Sequence, residues 1–150
     1  MTDKLSDKYD RIINQLFELF KKTDDCDARM ATICALLYHK FDKNFWVGFY
    51  FLKNSELTVK CYQGPLACQV LAKDKGVCWA AINEKRSIIV PDVEKFPGHI
   101  ACDSRSKSEI VIPVKDENGE ILGVLDIDSD KLDSYCETDL AALEKIVKLI

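Results

Sequence analysis

The sequence predicts an α+β fold, in which a central antiparallel sheet is flanked by helices at both ends of the chain. Apolar residues recur at helical spacing in the first and last segments. Between these segments, strand-like runs are separated by short turns, and Asn118-Gly119 is the strongest hairpin signal among the turns. Because 150 residues is the usual length of one domain, we expect residues 1–150 to form a single domain.

Four segments have the apolar spacing of helices, and the residues around them suggest where each helix begins. Asp27 is placed to cap the second helix, and Gly76 to open the third. Ser134 and Glu137 have the spacing of a capping box before the last helix. The predicted helices are residues 5–22, 28–39, 77–85 and 134–150.

Five runs rich in β-branched or aromatic residues read as strands. They are residues 45–53, 57–63, 86–92, 108–115 and 120–129. The segment 94–108 is long and irregular, and long loops inside compact domains are often functional.

The last predicted hairpin brings acidic residues together. If Asn118-Gly119 is a two-residue loop, Glu109 faces Asp128 and Val111 faces Asp126. Directly opposed residues share a face of the sheet, and so do residues two positions apart, so the three acids lie on one face. A three-residue loop would shift the register by one and move Glu109 to the other face. Clustered, buried carboxyl groups raise one another's pKa, so such a patch can hold a proton, bind an ammonium group or bind a hard cation. The alternative is that the strand ends at Asp126 and the acids are solvated.

Composition limits the classes of function. The formal net charge of −4 and the pI of about 5.2 argue against sequence-independent binding to nucleic acid or to an anionic membrane. The N-terminal residues are charged and lack the apolar core of a signal peptide, and no run of about 18 apolar residues could span a bilayer. We therefore expect a cytoplasmic protein without a nucleic-acid or membrane partner.

The seven cysteines include no C-x-x-C pair, and in a reducing cytosol they suggest core packing, redox chemistry or metal binding. Cys34 lies on the apolar face of the second helix and is expected to pack in the core. Cys78 opens the short third helix, whose N-terminus can favour a thiolate. Cys102 lies in the irregular segment ahead of Glu109. His99, in the same segment, is expected to be an ordinary hydrogen-bonded loop histidine outside the catalytic set.

A thiol beside three carboxylates is a poor nucleophile, because negative charge raises its pKa. The arrangement makes better chemical sense if one carboxyl group is protonated. That group could then donate its proton to an oxygen leaving the atom that the thiol attacks. A sulfoxide fits this requirement, and its reduction would leave a sulfenic acid on the cysteine.

Six segments between about residues 45 and 140 occur in the order and at the spacing of a known family. They are F-W-V-G-F-Y (45–50), Q-G-P-L-A-C (63–68), G-V-C (76–78), G-H-I-A-C-D (98–103), S-E-I-V-I-P (108–113) and G-V-L-D-I-D-S (123–129). Together they resemble the free methionine-(R)-sulfoxide reductases, which are stand-alone GAF domains. The resemblance implies a GAF-type fold and the reduction of free L-methionine (R)-S-oxide to L-methionine.

The resemblance also assigns roles to the cysteines. Cys102 matches the catalytic cysteine, which becomes a sulfenic acid, and Cys68 matches the resolving cysteine, which forms a disulfide with it. Cys78 matches a third family cysteine that assists recycling. Thioredoxin is the implied electron donor and a transient partner, in a role connected with oxidative stress. Neither a bound cofactor nor a metal is implied.

The remaining roles concern substrate binding. Glu109, Asp126 and Asp128 match the acids that hold the substrate and supply the proton. Trp46 and Tyr50 match aromatic positions that line the pocket.

One departure from the family is Trp79, which follows G-V-C where the family usually has glycine, and which we expect to restrict Cys78 or reshape the pocket wall. An apolar stripe on the terminal helices permits a homodimer. Two other hypotheses are a sensory GAF module that binds a ligand without turnover, and a redox switch whose cysteines respond directly to peroxide.

Overall fold

Six strands and four α-helices make up the described part of the computed structural model, residues 3–99 and 102–150. The strands are β1 (Trp46–Lys53), β2 (Glu56–Gln63), β3 (Val70–Leu71), β4 (Ile88–Val90), β5 (Ser108–Lys115) and β6 (Ile121–Ser129). The helices are α1 (Lys4–Leu19), α2 (Cys26–Lys40), α3 (Gly76–Glu84) and α4 (Glu137–Val147). The strands form one antiparallel sheet in the order β3-β2-β1-β6-β5-β4, which confirms the predicted α+β class.

Each face of the sheet buries its own core. The helices α1, α2 and α4 cover one face, where Phe49 and Leu125 pack in an apolar cluster with the helices. Helix α3 covers the other face, where Tyr50, Val111 and Trp79 belong to a second cluster. Successive strand residues point to opposite faces, so Phe49 and Tyr50 contribute to different cores. Among the described residues, none of the helices is both long and apolar enough to cross a membrane.

Two helix starts differ from their predictions. The side chain of Asp25, not Asp27, accepts a hydrogen bond at the start of α2. Helix α4 begins at residue 137, where Cys136 is the capping residue and its backbone N–H donates to Asp139 Oδ2 over 2.9 Å. Ser134, predicted to be the cap, instead donates its hydroxyl to the Oγ of Ser129 at the end of β6. The short strand β3 has no counterpart among the predicted elements.

The loop between β5 and β6 has three residues, so the prediction of a two-residue loop is wrong. The backbone N–H of Asp116 donates to the Glu120 carbonyl over 2.9 Å, and Gly119 adopts a positive φ of 81° inside this pair. This pattern is a three-residue hairpin with glycine in the left-handed conformation. One pair further along, Leu122 has no partner on β5 and forms a β-bulge that shifts the register by one residue.

The bulge restores the register that the sequence predicted. Glu109 pairs with Asp128, and Val111 pairs with Asp126. The longer loop moves β6 by one residue and Leu122 moves it back, so the acids meet on one face of the sheet.

Candidate active site

The three acids of β5 and β6 lie in a pocket on the face of the sheet that α3 covers. Glu109 is 5% exposed and Asp126 is 6% exposed, whereas Asp128 is partly buried. Strands β4 and β1 flank the hairpin on its two sides, so the carboxyl groups are not at a sheet edge. The alternative of solvated acids at a strand end therefore does not hold for Glu109 and Asp126.

Burial perturbs all three carboxyl groups. Desolvation, then the charges of Asp126 and Asp128, hold the pKa of Glu109 well above its usual value. Desolvation and the neighbouring aspartates likewise hold the pKa of Asp128 well above its usual value. Burial also raises the pKa of Asp126, but hydrogen bonding from Glu109 and Cys78 opposes that rise. Asp126 is therefore the member best able to remain charged, and Glu109 and Asp128 are the members that bind a proton more readily.

Cys78 lies in the first turn of α3, directly against the acids. Its Sγ atom and carboxylate oxygens of Glu109 and Asp126 all lie within 4.8 Å of one another. The side chain is 4% exposed, and burial followed by the charges of the acids raises the pKa of its thiol. These effects outweigh the helix N-terminus, so the expectation that α3 favours a thiolate at Cys78 is wrong.

The same cluster offers one sulfur and two oxygen donors, a combination that zinc can accept. Metal binding would first require the cluster to release its protons. We assign no step to a metal.

A disulfide joins Cys68 and Cys102, the two cysteines that the family resemblance pairs, and Cys102 lines the same pocket as the acids. Their Cα atoms are 5.5 Å apart, within the usual range for a disulfide. Cys68 follows a turn at Gly64, whose φ of 121° favours glycine. The Tyr50 hydroxyl donates to the Cys68 carbonyl over 3.0 Å and so fastens this loop to the sheet.

Trp46 and Tyr50 of β1 form an aromatic wall of the pocket. Their rings stack with centroids 5.7 Å apart, and Tyr62 also stacks with Trp46, with centroids 5.4 Å apart. The Trp46 ring passes directly over Gly48, where a Cβ atom would overlap it and would lie 2.7 Å from Tyr62 Cβ. Glycine at this position therefore allows the tryptophan to lie flat along the strand.

The sequence did not identify several other residues that line this pocket: Phe45, Leu66, Lys75, His99 and Ser106. His99 was expected to be hydrogen-bonded, but its Nε2 atom is buried without a partner among the described residues. Burial lowers the pKa of its imidazole, so the ring is neutral at neutral pH and can hydrogen bond to a ligand. The only sequence signal for it was its place in the G-H-I-A-C-D motif, of which residues 100 and 101 lie outside the described residues.

Trp79 does not form part of the pocket wall in the described residues. Its side chain is 4% exposed in the core around α3, and the indole N–H donates to the Leu71 carbonyl of β3 over 3.4 Å. The indole thus anchors α3, and with it Cys78, to the edge of the sheet.

The fold and the buried polar pocket on one face of the sheet are those of a GAF domain. A family model described as GAF domain matches residues 24–150. Among similar proteins, GAF domain-containing protein A of Dictyostelium discoideum is 46% identical over 145 residues, which cover 96% of this chain and 90% of that protein.

Other relatives define the group more closely. The free methionine-R-sulfoxide reductase of Saccharomyces cerevisiae is 43% identical over 129 residues, covering 81% of this chain and 71% of that protein. The X-ray structure of free methionine-R-sulfoxide reductase from Neisseria meningitidis in complex with its substrate matches with a TM-score of 0.91 and 37% identity, covering 99% of this chain and 89% of that chain. The chain belongs to the GAF domain family and, within it, to the free methionine-R-sulfoxide reductases.

Proposed function

We propose that this oxidoreductase reduces free L-methionine (R)-S-oxide to L-methionine, with Cys102 as the attacking thiol. The observation that best supports the proposal is that one pocket is lined both by Cys102, which is disulfide-bonded to Cys68, and by Glu109, whose pKa burial raises well above its usual value. Sulfoxide reduction by a thiol needs both groups, because the oxygen must be protonated while the sulfur is attacked. The named relatives support the substrate class.

In the first step, the Cys102 sulfur attacks the sulfoxide sulfur while Glu109 donates a proton to the sulfoxide oxygen. The S–O bond of the substrate breaks, and the oxygen leaves as water with one proton from Glu109 and one from the Cys102 thiol, while Cys102 stays bonded to the substrate sulfur. Water then attacks the Cys102 sulfur, the S–S bond breaks with methionine as the leaving group, and Cys102 becomes a sulfenic acid as the released proton returns to Glu109. Methionine sulfoxide is reduced by two electrons and Cys102 is oxidised by two. In the second step, the Cys68 thiol attacks the sulfenic acid, and water leaves as the Cys68–Cys102 disulfide forms.

The acids also distinguish a free amino acid from a peptide-bound residue. Asp126, the member best able to remain charged, pairs with the ammonium group of the substrate, and Asp128 accepts a hydrogen bond from the same group. A peptide-bound methionine sulfoxide lacks this ammonium group. A buried negative charge is costly without a partner, and one oxygen of Asp126, Oδ1, has no hydrogen-bond partner among the described residues. The stacked rings of Trp46 and Tyr50 pack against the apolar methyl and methylene groups of the substrate.

A dithiol reductant closes the cycle, and we propose thioredoxin for this role. One of its thiols attacks the disulfide and its second thiol releases the reduced enzyme, so that two electrons and two protons restore Cys68 and Cys102. Cys102 is exposed, which suits attack by a protein partner. Cys78 assists recycling only after α3 moves, because its sulfur is buried beside Glu109 and Asp126 and a reductant cannot reach it.

The remaining proposals concern the setting of the enzyme. Five cysteines are free thiols, which fits the reducing cytoplasm and a role under oxidative stress. We expect the whole chain, residues 1–150, to act as one domain without a bound cofactor. A homodimer through the terminal helices stays a prediction.

The test couples turnover to thioredoxin, thioredoxin reductase and NADPH, with each sulfoxide epimer of free methionine and of N-acetylmethionine supplied separately. We expect NADPH oxidation only with the free R epimer, and its loss in Cys102→Ser. The matched control is Cys26→Ser, which changes an exposed cysteine at the start of α2 and should turn over normally.

Each hypothesis predicts a different result. No turnover by protein with confirmed reduced thiols would contradict the proposal. Sulfoxide binding without turnover would favour a sensory ligand-binding module. NADPH oxidation with peroxide but not with sulfoxide would favour a redox switch.

A further inference from the structure

Cys34 and Cys61 form a second pair of sulfurs on the face of the sheet opposite the pocket. Their Sγ atoms are 3.9 Å apart, and both cysteines are free thiols. Cys34 lies on α2 and is 1% exposed, whereas Cys61 lies on β2 and is partly exposed. Both belong to the core beneath the helices, on the side away from the Cys68–Cys102 disulfide.

A β-bulge turns Cys61 toward Cys34. Strand β2 pairs Val59 with Tyr50 and Cys61 with Phe49, so Lys60 is an extra residue between them. Without the bulge, Cys61 would share the face of Val59 and point toward the pocket side of the sheet. The additional residue instead places Cys61 beside Phe49, on the face covered by α2.

We propose that Cys34 and Cys61 are a second redox-active dithiol, which a hydroperoxide oxidises to a reversible disulfide. The Cys61 thiolate attacks the peroxide oxygen, the O–O bond breaks, and an alcohol or water leaves. Cys61 is then a sulfenic acid. The Cys34 thiol attacks that sulfur, water leaves, and the disulfide forms, so that the pair loses two electrons and two protons in total.

The two cysteines differ in the way this sequence of steps requires. Cys61 is the sulfur that an oxidant can reach, and the hydrogen bond from Cys34 lowers the pKa of its thiol. The hydrogen bond with Cys61, and then burial, raise the pKa of Cys34, so its thiol keeps its proton more readily than that of Cys61. To reach bonding distance, the sulfurs must approach by about 2 Å, a displacement within reach of side-chain rotation.

The pair has a position from which it can affect the rest of the fold. A Cys34–Cys61 disulfide would fasten α2 to the end of β2, and that strand continues through Gly64 into the loop of Cys68. This inference does not depend on the proposed function, because its chemistry needs only a peroxide.

The test uses a Cys68→Ser/Cys102→Ser variant, treated in the folded state with one equivalent of hydrogen peroxide, alkylated and digested with trypsin. Cleavage after Arg29, Lys40, Lys60 and Lys73 releases peptides 30–40 and 61–73, each with one cysteine. We expect a linked peptide pair whose mass is two hydrogens below the sum of the two peptides, and which dithiothreitol separates. In the matched control, which also carries Cys61→Ser, peptide 30–40 should remain unlinked.

Two results would overturn the proposal: a sulfinic acid on Cys61 with peptide 30–40 unlinked, or equal linkage of Cys61 to Cys26 or Cys136. If the double variant does not fold, the wild-type protein gives the same answer. Its peptide 61–73 also contains Cys68, so oxidation should yield a three-peptide species of 30–40, 61–73 and 96–105. Finding only the species of 61–73 with 96–105 would refute the second dithiol.

Discussion

Replacing Glu109 with glutamine separates proton donation from hydrogen bonding in the acid cluster. Glutamine has nearly the same shape and keeps an N–H donor for a sulfoxide oxygen, but it has no proton to transfer. Glu109 is 5% exposed, and burial beside Asp126 and Asp128 raises its pKa well above the usual value. The wild-type carboxyl group is therefore the protonated one, and we expect Glu109→Gln to lower kcat with little change in KM.

The size of the effect follows from the role proposed for Glu109. A general acid contributes roughly 10²–10⁴-fold in rate, or about 3–5 kcal/mol of transition-state stabilisation. Because the active form is protonated, wild-type kcat should fall as pH rises through the raised pKa of Glu109. The variant should lack this limb.

The raised pKa of Glu109 also makes the free energy of unfolding depend on pH. A carboxyl group whose pKa is raised by folding contributes stability below its unfolded pKa, and that contribution is lost as pH rises through its folded pKa. The wild-type free energy of unfolding should thus fall toward alkaline pH, and Glu109→Gln should reduce that fall. Thioredoxin-coupled kinetics and urea unfolding, both measured from mildly acidic to alkaline pH, test the two expectations. An unchanged kcat with an intact alkaline limb would refute proton donation by Glu109, and a variant that is merely less stable would indicate a structural role.

Three other substitutions test the scaffold of the pocket. Gly48→Ala should raise KM and cost about 1–3 kcal/mol in urea unfolding, because the added methyl overlaps the stacked indole of β1. Asp139→Asn should cost about 3 kcal/mol in urea unfolding without a change in kcat, since it leaves Lys43, 2.8 Å from the fully buried carboxylate, without its partner. Tyr50→Phe removes the hydrogen bond to the Cys68 carbonyl, worth about 1 kcal/mol. It should slow disulfide formation about fivefold in a single-turnover thiol assay, and an unchanged rate would mean that this contact does not position the resolving loop.

The meeting of the three acids could be predicted because strand alternation and a strong turn signal determine which residues face one another. Two features of the hairpin were not visible in the sequence: the third loop residue and the bulge at Leu122. Leu122 lies in an apolar run and is 41% exposed, so neither its composition nor its spacing marks it as an extra residue. Because the two shifts cancel, the predicted pairing of Glu109 with Asp128 is confirmed although its stated basis is wrong. Leu122 is the extra residue of the bulge, so deleting it should remove the bulge and leave Glu109 opposite Asp128.

The proximity of Cys34 and Cys61 could not be predicted from the sequence, because it also depends on a β-bulge. Period-two alternation places Cys61 on the face of Val59, and only the bulge at Lys60 turns it to the other face. The predicted cap of α2 was wrong by two residues, since the segment before this helix contains several aspartates that could each cap it. Local patterns predict which elements form, whereas tertiary contacts select among residues one or two positions apart.

Burial decides which of the three pocket thiols can act first. Cys78 lies under the acids, where desolvation and negative charge raise its pKa and keep its proton in place. Cys102 lies in an exposed segment, so both a substrate entering the pocket and a protein reductant can reach its sulfur. The conflict between a nucleophilic thiol and an acidic site is thereby reduced, because the raised pKa values of Glu109 and Asp128 leave Asp126 as the main charge of the acid cluster. Protonation removes the charge repulsion between the buried carboxyl groups, and the same proton can be donated to the sulfoxide oxygen. Burial of the acids therefore supports the attack by the thiol.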